Sequence, residues 1–149
     1  MWCKYCIYFA KACGHAYNAA MRILGIDFGL KRVGLAISDE SSTFALPHSV
    51  IAGDKKCIDV VLDLLKKEGI TEIVVGESTK YDGTANTVMT HITPFVEELE
   101  KKSGIPVHLE PEFMTSVAAS RFQGMNDLHD ASAAALILQS FLDRRKNSA

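Results

Sequence analysis

The chain has 149 residues, 48% of them hydrophobic and 23% charged, with Lys+Arg 16 against Asp+Glu 18. That length suits one domain with a single buried core, and the balance of charge and apolar content excludes a wholly disordered chain. No run approaches the roughly 18 apolar residues that span a bilayer, and a formal net charge of −2 argues against a protein that grips nucleic acid by bulk charge alone.

Residues 1–20 stand apart. They hold Cys3, Cys6 and Cys13, three of the four cysteines, with Lys4 and Lys11 and no acid. The remaining 129 residues therefore carry 14 basic against 18 acidic side chains, a net of −4. A signal peptide is discounted, because Ile7-Tyr8-Phe9-Ala10 is too short an apolar stretch and Lys11 interrupts it. Cys3-x2-Cys6-x6-Cys13-x-His15 supplies four ligands of the kind that suit tetrahedral zinc, but its closing step is shorter than the common spacings. The reading adopted is an upstream extension before a native start at Met21. Disulfides are disfavoured if the protein is cytosolic, the compartment expected here.

From Arg22 the chain alternates strand-like and helix-like stretches. Arg22–Phe28 and Val33–Ser38 read as strands joined in a hairpin by Gly29-Leu30-Lys31-Arg32, and Phe44–Ala52 as a third antiparallel strand. Asp54–Glu68 places Ile58, Val61, Leu62 and Leu65 at helical spacing, with Cys57 as a buried structural thiol and Gly69 as the stop. Glu72–Gly76 reads as a strand buried on both faces. A helix is expected from about Thr84 to Ser103, kinked or divided at Pro94. A last strand at Val107–Leu109 precedes two helices, Ser116–Gln123 and Leu128–Arg145, and a tail at 146–149. The order βββαβαβαα predicts an α/β fold, a mixed sheet of three antiparallel strands and then parallel ones, flanked by helices.

Three carboxylates draw attention. Asp27 ends an apolar strand, where an acid is costly to bury unless paired, although a turn aspartate capping a local N–H is an equal reading. Asp130 lies in a first helical turn, where the helix dipole alone favours an acid. It also heads the stripe of Ala134, Ile137, Leu138 and Phe141, and so points toward the core side. Glu112 follows the last strand; Glu110 beside it competes for any role. Carboxylates on separate elements make an oxygen-ligand site of the kind that holds Mg²⁺ or Mn²⁺.

Met21-Arg-Ile-Leu-Gly-Ile-Asp27-Phe-Gly29-Leu-Lys31-Arg32-Val-Gly34-Leu-Ala-Ile-Ser-Asp39 resembles the opening of the YqgF family. The resemblance continues through Ile73-Val-Val-Gly76, Asp82-Gly83-Thr84, Glu112, Thr115-Ser116 and Asp130-Ala-Ser-Ala-Ala-Ala-Leu-Ile-Leu-Gln139, covering residues 21–145 as one domain. It implies an RNase H-like fold and a nuclease that resolves Holliday junctions or matures the 5′ end of 16S rRNA. It also implies that Asp27, Glu112 and Asp130 are the catalytic acids and ligands of two Mg²⁺ or Mn²⁺ ions, with Asp27 bridging, and that Lys31 and Arg32 contact a phosphate backbone. By spacing alone those two bases belong to a solvated turn.

Two departures bear on substrate. Pro111-Glu112-Phe113 stands where the family usually has Asp-Glu-Arg, and the loop Gly124-Met125-Asn126 is short and carries no base. Arg121 and the Arg144-Arg145-Lys146 cluster are further cations expected to meet phosphate. The implied partner is structured RNA or branched DNA, with no membrane, for a monomer or homodimer. Two other functions stay open: a catalytically weak nucleic-acid or ribosome-associated binding module, and an actin-like nucleotide-binding fragment. Proteins of the latter kind need two such lobes, and 129 residues supply one.

Overall fold

The computed structural model describes residues 21–77, 89–111 and 126–148. In chain order these form β1 (Arg22–Phe28), β2 (Arg32–Ser38), β3 (Ala45–Ala52), α1 (Cys57–Glu68), β4 (Ile70–Glu77), α2 (Met89–Ser103), β5 (Val107–Pro111) and α3 (Asn126–Asn147). The expected helix at Ser116–Gln123, the N-terminal half-turns of the helix expected from Thr84, and residues 1–20 with Cys3, Cys6, Cys13 and His15 lie outside the described residues.

The strands make one sheet in the order β3-β2-β1-β4-β5. β1 pairs antiparallel with β2, and β2 with β3; β4 lies parallel to β1, and β5 parallel to β4. This is the mixed α/β sheet expected from the sequence. Strand periodicity sends alternate residues to opposite faces. Leu24 and Ile26 of β1 join Ile58, Val61 and Leu65 of α1 and Ile92, Phe95 and Leu99 of α2 in one core cluster. Ile23, Ala36 and Val74 meet Ala134, Ile137, Leu138 and Leu142 of α3 in another. The sheet is therefore covered on both sides, which is why Ile73, Val74 and Val75 are all fully buried.

Several boundaries move for local reasons. α1 begins at Cys57 rather than Asp54, because the Asp54 carboxylate accepts the Lys56 N–H at 2.9 Å and closes a turn ahead of the helix. It ends where Gly69 adopts φ 64°, a left-handed conformation that favours glycine, and donates its N–H to Leu65 O. Cys57 is buried, as expected. α2 runs through Pro94 as one helix, so no second segment begins there. α3 continues to Asn147, taking Lys146 and Asn147 into the helix rather than a tail.

Candidate active site

Asp27 is half-buried near the C-terminal end of β1. It pairs across the sheet with Gly34 of β2. In the parallel register, Gly25 pairs with Val74 and Ile26 with Val75, so Gly76 of β4 is next in line on its other side. Glycines thus stand beside this carboxylate on both neighbouring strands.

Asp27 shares its face with Ile23 and Gly25, the face covered by α3. Gly25 is where the two elements come closest: a Cβ there would lie 2.7 Å from Leu138 Cβ and 2.9 Å from Ala134 O. Two residues along the strand from Gly25 is Asp27, about 6.7 Å away at strand rise. One turn back along α3 from Ala134 is Asp130, about 6 Å away at helical rise. Ala131, the residue after Asp130, borders the same depression as Lys31 and Arg32. The backbone register therefore brings the Asp130 position to the end of the sheet that carries Asp27 and the β1–β2 turn.

That turn places Lys31 and Arg32, both exposed, just beyond Asp27. It closes only over glycine, because a Cβ at Gly29 would lie 2.5 Å from Arg32 O. Gly53 donates its N–H to Lys31 O at 2.9 Å and ties the turn to the end of β3. Glu112 follows directly after Pro111, the last residue of β5, and lies outside the described residues, as does the Asp130 side chain. Among the described residues no three His, Cys, Asp or Glu side chains gather as a metal site.

Glu110, the competitor of Glu112, is occupied elsewhere. Its side chain is only 3% exposed, accepts a hydrogen bond from Ser140 Oγ at 3.0 Å, and pairs with Arg144. Four residues before Gly76, the β4 partner of Glu110, Glu72 accepts from Arg145 Nη1 at 2.8 Å and lies 3.0 Å from His108 Nε2. The His108 ring packs on Phe141, with centroids 5.2 Å apart. This polar seam clamps β4 and β5 to the C-terminal half of α3. It corrects the expectation for the Arg144-Arg145-Lys146 cluster: both arginines are held by acids of the sheet, and Lys146 Nζ sits 5.7 Å from the Phe44 ring centroid. The seam was missed in the sequence. Its signal was the alternation Glu72, His108, Glu110 on the α3 face, matched by Ser140 and Arg144 four residues apart on a helix.

Among the described residues, Asp39, Cys57 and Lys102 are shifted, all outside this region, Lys102 upward by its hydrogen bond to Glu98. Hydrogen bonds from the Phe44 N–H first, then from the Ser41 hydroxyl and other turn donors, hold the Asp39 carboxyl down at about 2. Burial, with Asp54 nearby, pushes the Cys57 thiol up to about 11.

Known proteins resemble this chain over most of its length. A family model described as RuvX, Holliday junction resolvase, matches residues 21–144. A protein of Anaplasma marginale (strain St. Maries) named "Putative pre-16S rRNA nuclease" is 39% identical over 141 residues, covering 88% of this chain and 90% of its own. The protein of the same name from Salinibacter ruber (strain DSM 13855 / M31) is 38% identical over 138 residues, covering 85% and 96%. Among solved structures, T. thermophilus RuvC in complex with Holliday junction substrate matches with a TM-score of 0.58 at 18% identity, over 85% of this chain and 96% of that one. Fowlpox virus resolvase with its Holliday junction DNA matches at 0.52 and 13% identity, over 84% and 99%. At those identities the structural likeness is one of fold.

Proposed function

The chain belongs to the RuvX family of Holliday junction resolvases, whose curated relatives are named nucleases, and on that premise we propose that it is a divalent-metal-dependent endonuclease acting on structured nucleic acid. Precursor 16S rRNA, at its 5′ end, is the first substrate to try, because the two relatives cited above are named for pre-16S rRNA. Holliday-junction resolution is the second. The observation that carries the reading is the close approach of β1 and α3 at Gly25, which supports a shared site for Asp27 and Asp130.

The donors are all carboxylate oxygens, the chemistry that hard divalent cations select. Asp27, Glu112 and Asp130 would hold Mg²⁺ or Mn²⁺, which when bound supplies charge neutralisation at the phosphate and a water of lowered pKa. The protein's own part is placement. Asp27 is held on the β1 ladder, with Gly34 as its partner on β2 and Gly76 next in line on β4. Glu110 is bound to Ser140 and Arg144, which leaves Glu112 as the glutamate of that segment suited to a ligand role. Lys31 and Arg32 stand on the turn above, suited to hold flanking phosphates.

The test is a cleavage assay on a precursor 16S rRNA 5′ end and on a four-way DNA junction, with Mg²⁺, with Mn²⁺ and with EDTA. Divalent-dependent cutting of either substrate, abolished in Asp27→Asn, is the expected result. Cleavage by Asp27→Asn at the wild-type rate would show that the proposed site is wrong.

A further inference from the structure

β3 is an edge strand, and its pairing with β2 contains one extra residue. Leu35 pairs with Ser49, whereas the next residue, Ala36, pairs with Pro47, so His48 stands outside the ladder. Such bulges re-aim a side chain and frequently border active sites. His48 is exposed, and its Nδ1 lies 2.8 Å from Ser49 Oγ, a contact that holds the ring by one edge. The ring borders a groove of about 550 Å³ whose lining among the described residues includes Lys31, Arg32, Pro47, Val50 and Ala131. Among the described residues that line it, none is acidic.

Val50 of the groove stands in register with Asp27. Val50 pairs with Gly34, and Gly34 pairs with Asp27, so the three lie in one cross-strand row on one face of the sheet. At strand spacing the Val50 position is about 10 Å from that of Asp27. The residue between them has no side chain to block the way. Ala131, on the groove's other wall, directly follows Asp130.

We propose that this groove binds the unpaired nucleic-acid strand that flanks the scissile phosphate, with Lys31 and Arg32 on its phosphates and the His48 ring stacked against a base. The proposal rests on the nuclease reading and assigns that site a substrate feature. Cations tracking a backbone beside a ring that stacks on any base are the elements of single-strand binding. A duplex keeps its base faces stacked inside and offers none to His48. A peptide adding a strand to β3 meets Pro47 and the bulge, both of which interrupt an edge ladder.

The experiment measures binding of hairpin RNA and hairpin DNA, each with and without an unpaired tail, to the full chain carrying Asp27→Asn. The tail is expected to tighten binding, and His48→Ala to weaken the tailed probes about tenfold while leaving the untailed ones unchanged. His48→Tyr, which keeps a stacking ring, should restore tailed binding. Lys31→Gln with Arg32→Gln should flatten the salt dependence of the tailed probes. Preference for the RNA or the DNA tail identifies the sugar. Equal weakening of tailed and untailed probes in His48→Ala, or no weakening, overturns the proposal. Binding of no probe overturns both this and the nucleic-acid reading. Tail-dependent binding that His48→Ala abolishes, in a wild-type protein that never cleaves, overturns the nuclease reading alone.

Discussion

A Cβ on Gly25 would lie 2.7 Å from Leu138 Cβ, so β1 and α3 meet almost backbone to side-chain stem. This contact sets the depth at which α3 crosses the sheet and hence how near the Asp130 position comes to Asp27. Gly25→Ala must push the helix outward, because one of the atoms in the way is the Ala134 carbonyl. Overpacking of this kind costs about 1–3 kcal/mol. Thermal melts should show a lowered midpoint, and the proposed metal-dependent cleavage, measured at a temperature where the variant is folded, should fall as well. An unchanged midpoint would contradict the contact.

The pair Glu110–Arg144 is asymmetric: the carboxylate is 3% exposed and the arginine 55%. Arg144→Ala strands a buried charge beside Ser140 and should cost about 3 kcal/mol, in the range for breaking a buried pair. Adding Glu110→Gln removes that charge and should recover part of the loss. Urea denaturation of the two single variants and the double reads this directly. A double variant as unstable as the sum of the singles would show that the two residues act independently.

The turn between β2 and β3 is organised by Asp39, whose Oδ1 accepts from Thr43 N at 2.7 Å and Phe44 N at 2.8 Å. Its folded pKa of about 2 lies below the ordinary carboxylate value of 3.8, so the contribution is complete above about pH 4 and disappears as pH falls through about 2. The difference in urea midpoint between wild type and Asp39→Asn should therefore be constant near neutrality and close between pH 4 and 2. A difference that persists unchanged at pH 2 would contradict the role of the ionised carboxylate.

Cys57 sits in the core cluster with its thiol pushed up to about 11. At neutral pH its thiolate fraction is a few hundredfold below that of a free cysteine, on the order of one part in ten thousand. Peptide mapping after iodoacetamide treatment should find Cys57 unmodified in the native protein and alkylated in urea. Fast native alkylation would show that the thiol is not enclosed.

Elements whose identity follows from local pattern were legible in the sequence. Arg22–Phe28 was placed to the residue, because its apolar run is closed by an acid and a glycine. The α3 stripe was legible too: Ala134, Ile137 and Leu138 are buried, and Phe141 is packed against them. The features that escaped depend on partners far along the chain. β4 extends to Ile70 because Arg22 pairs with it, and β5 to Pro111 because Glu77 does. The bulge at His48 exists only in the β2–β3 register. Arg144 and Arg145 read as phosphate-binding cations until Glu110 and Glu72 are seen across the sheet. The candidate site was half legible: its residue types stand in the sequence, whereas the approach of Asp130 toward Asp27 comes from the packing at Gly25.

The proposed shared carboxylate site is tested most directly by titrating Mn²⁺ into the full chain in a calorimeter, for wild type, Asp27→Asn, Asp130→Asn and Glu110→Gln. The account expects wild type and Glu110→Gln to bind alike, and each aspartate variant to lose about tenfold or more in affinity, the loss usual when a metal's ligand support is removed. Asp27→Asn or Asp130→Asn binding Mn²⁺ as tightly as wild type would contradict it.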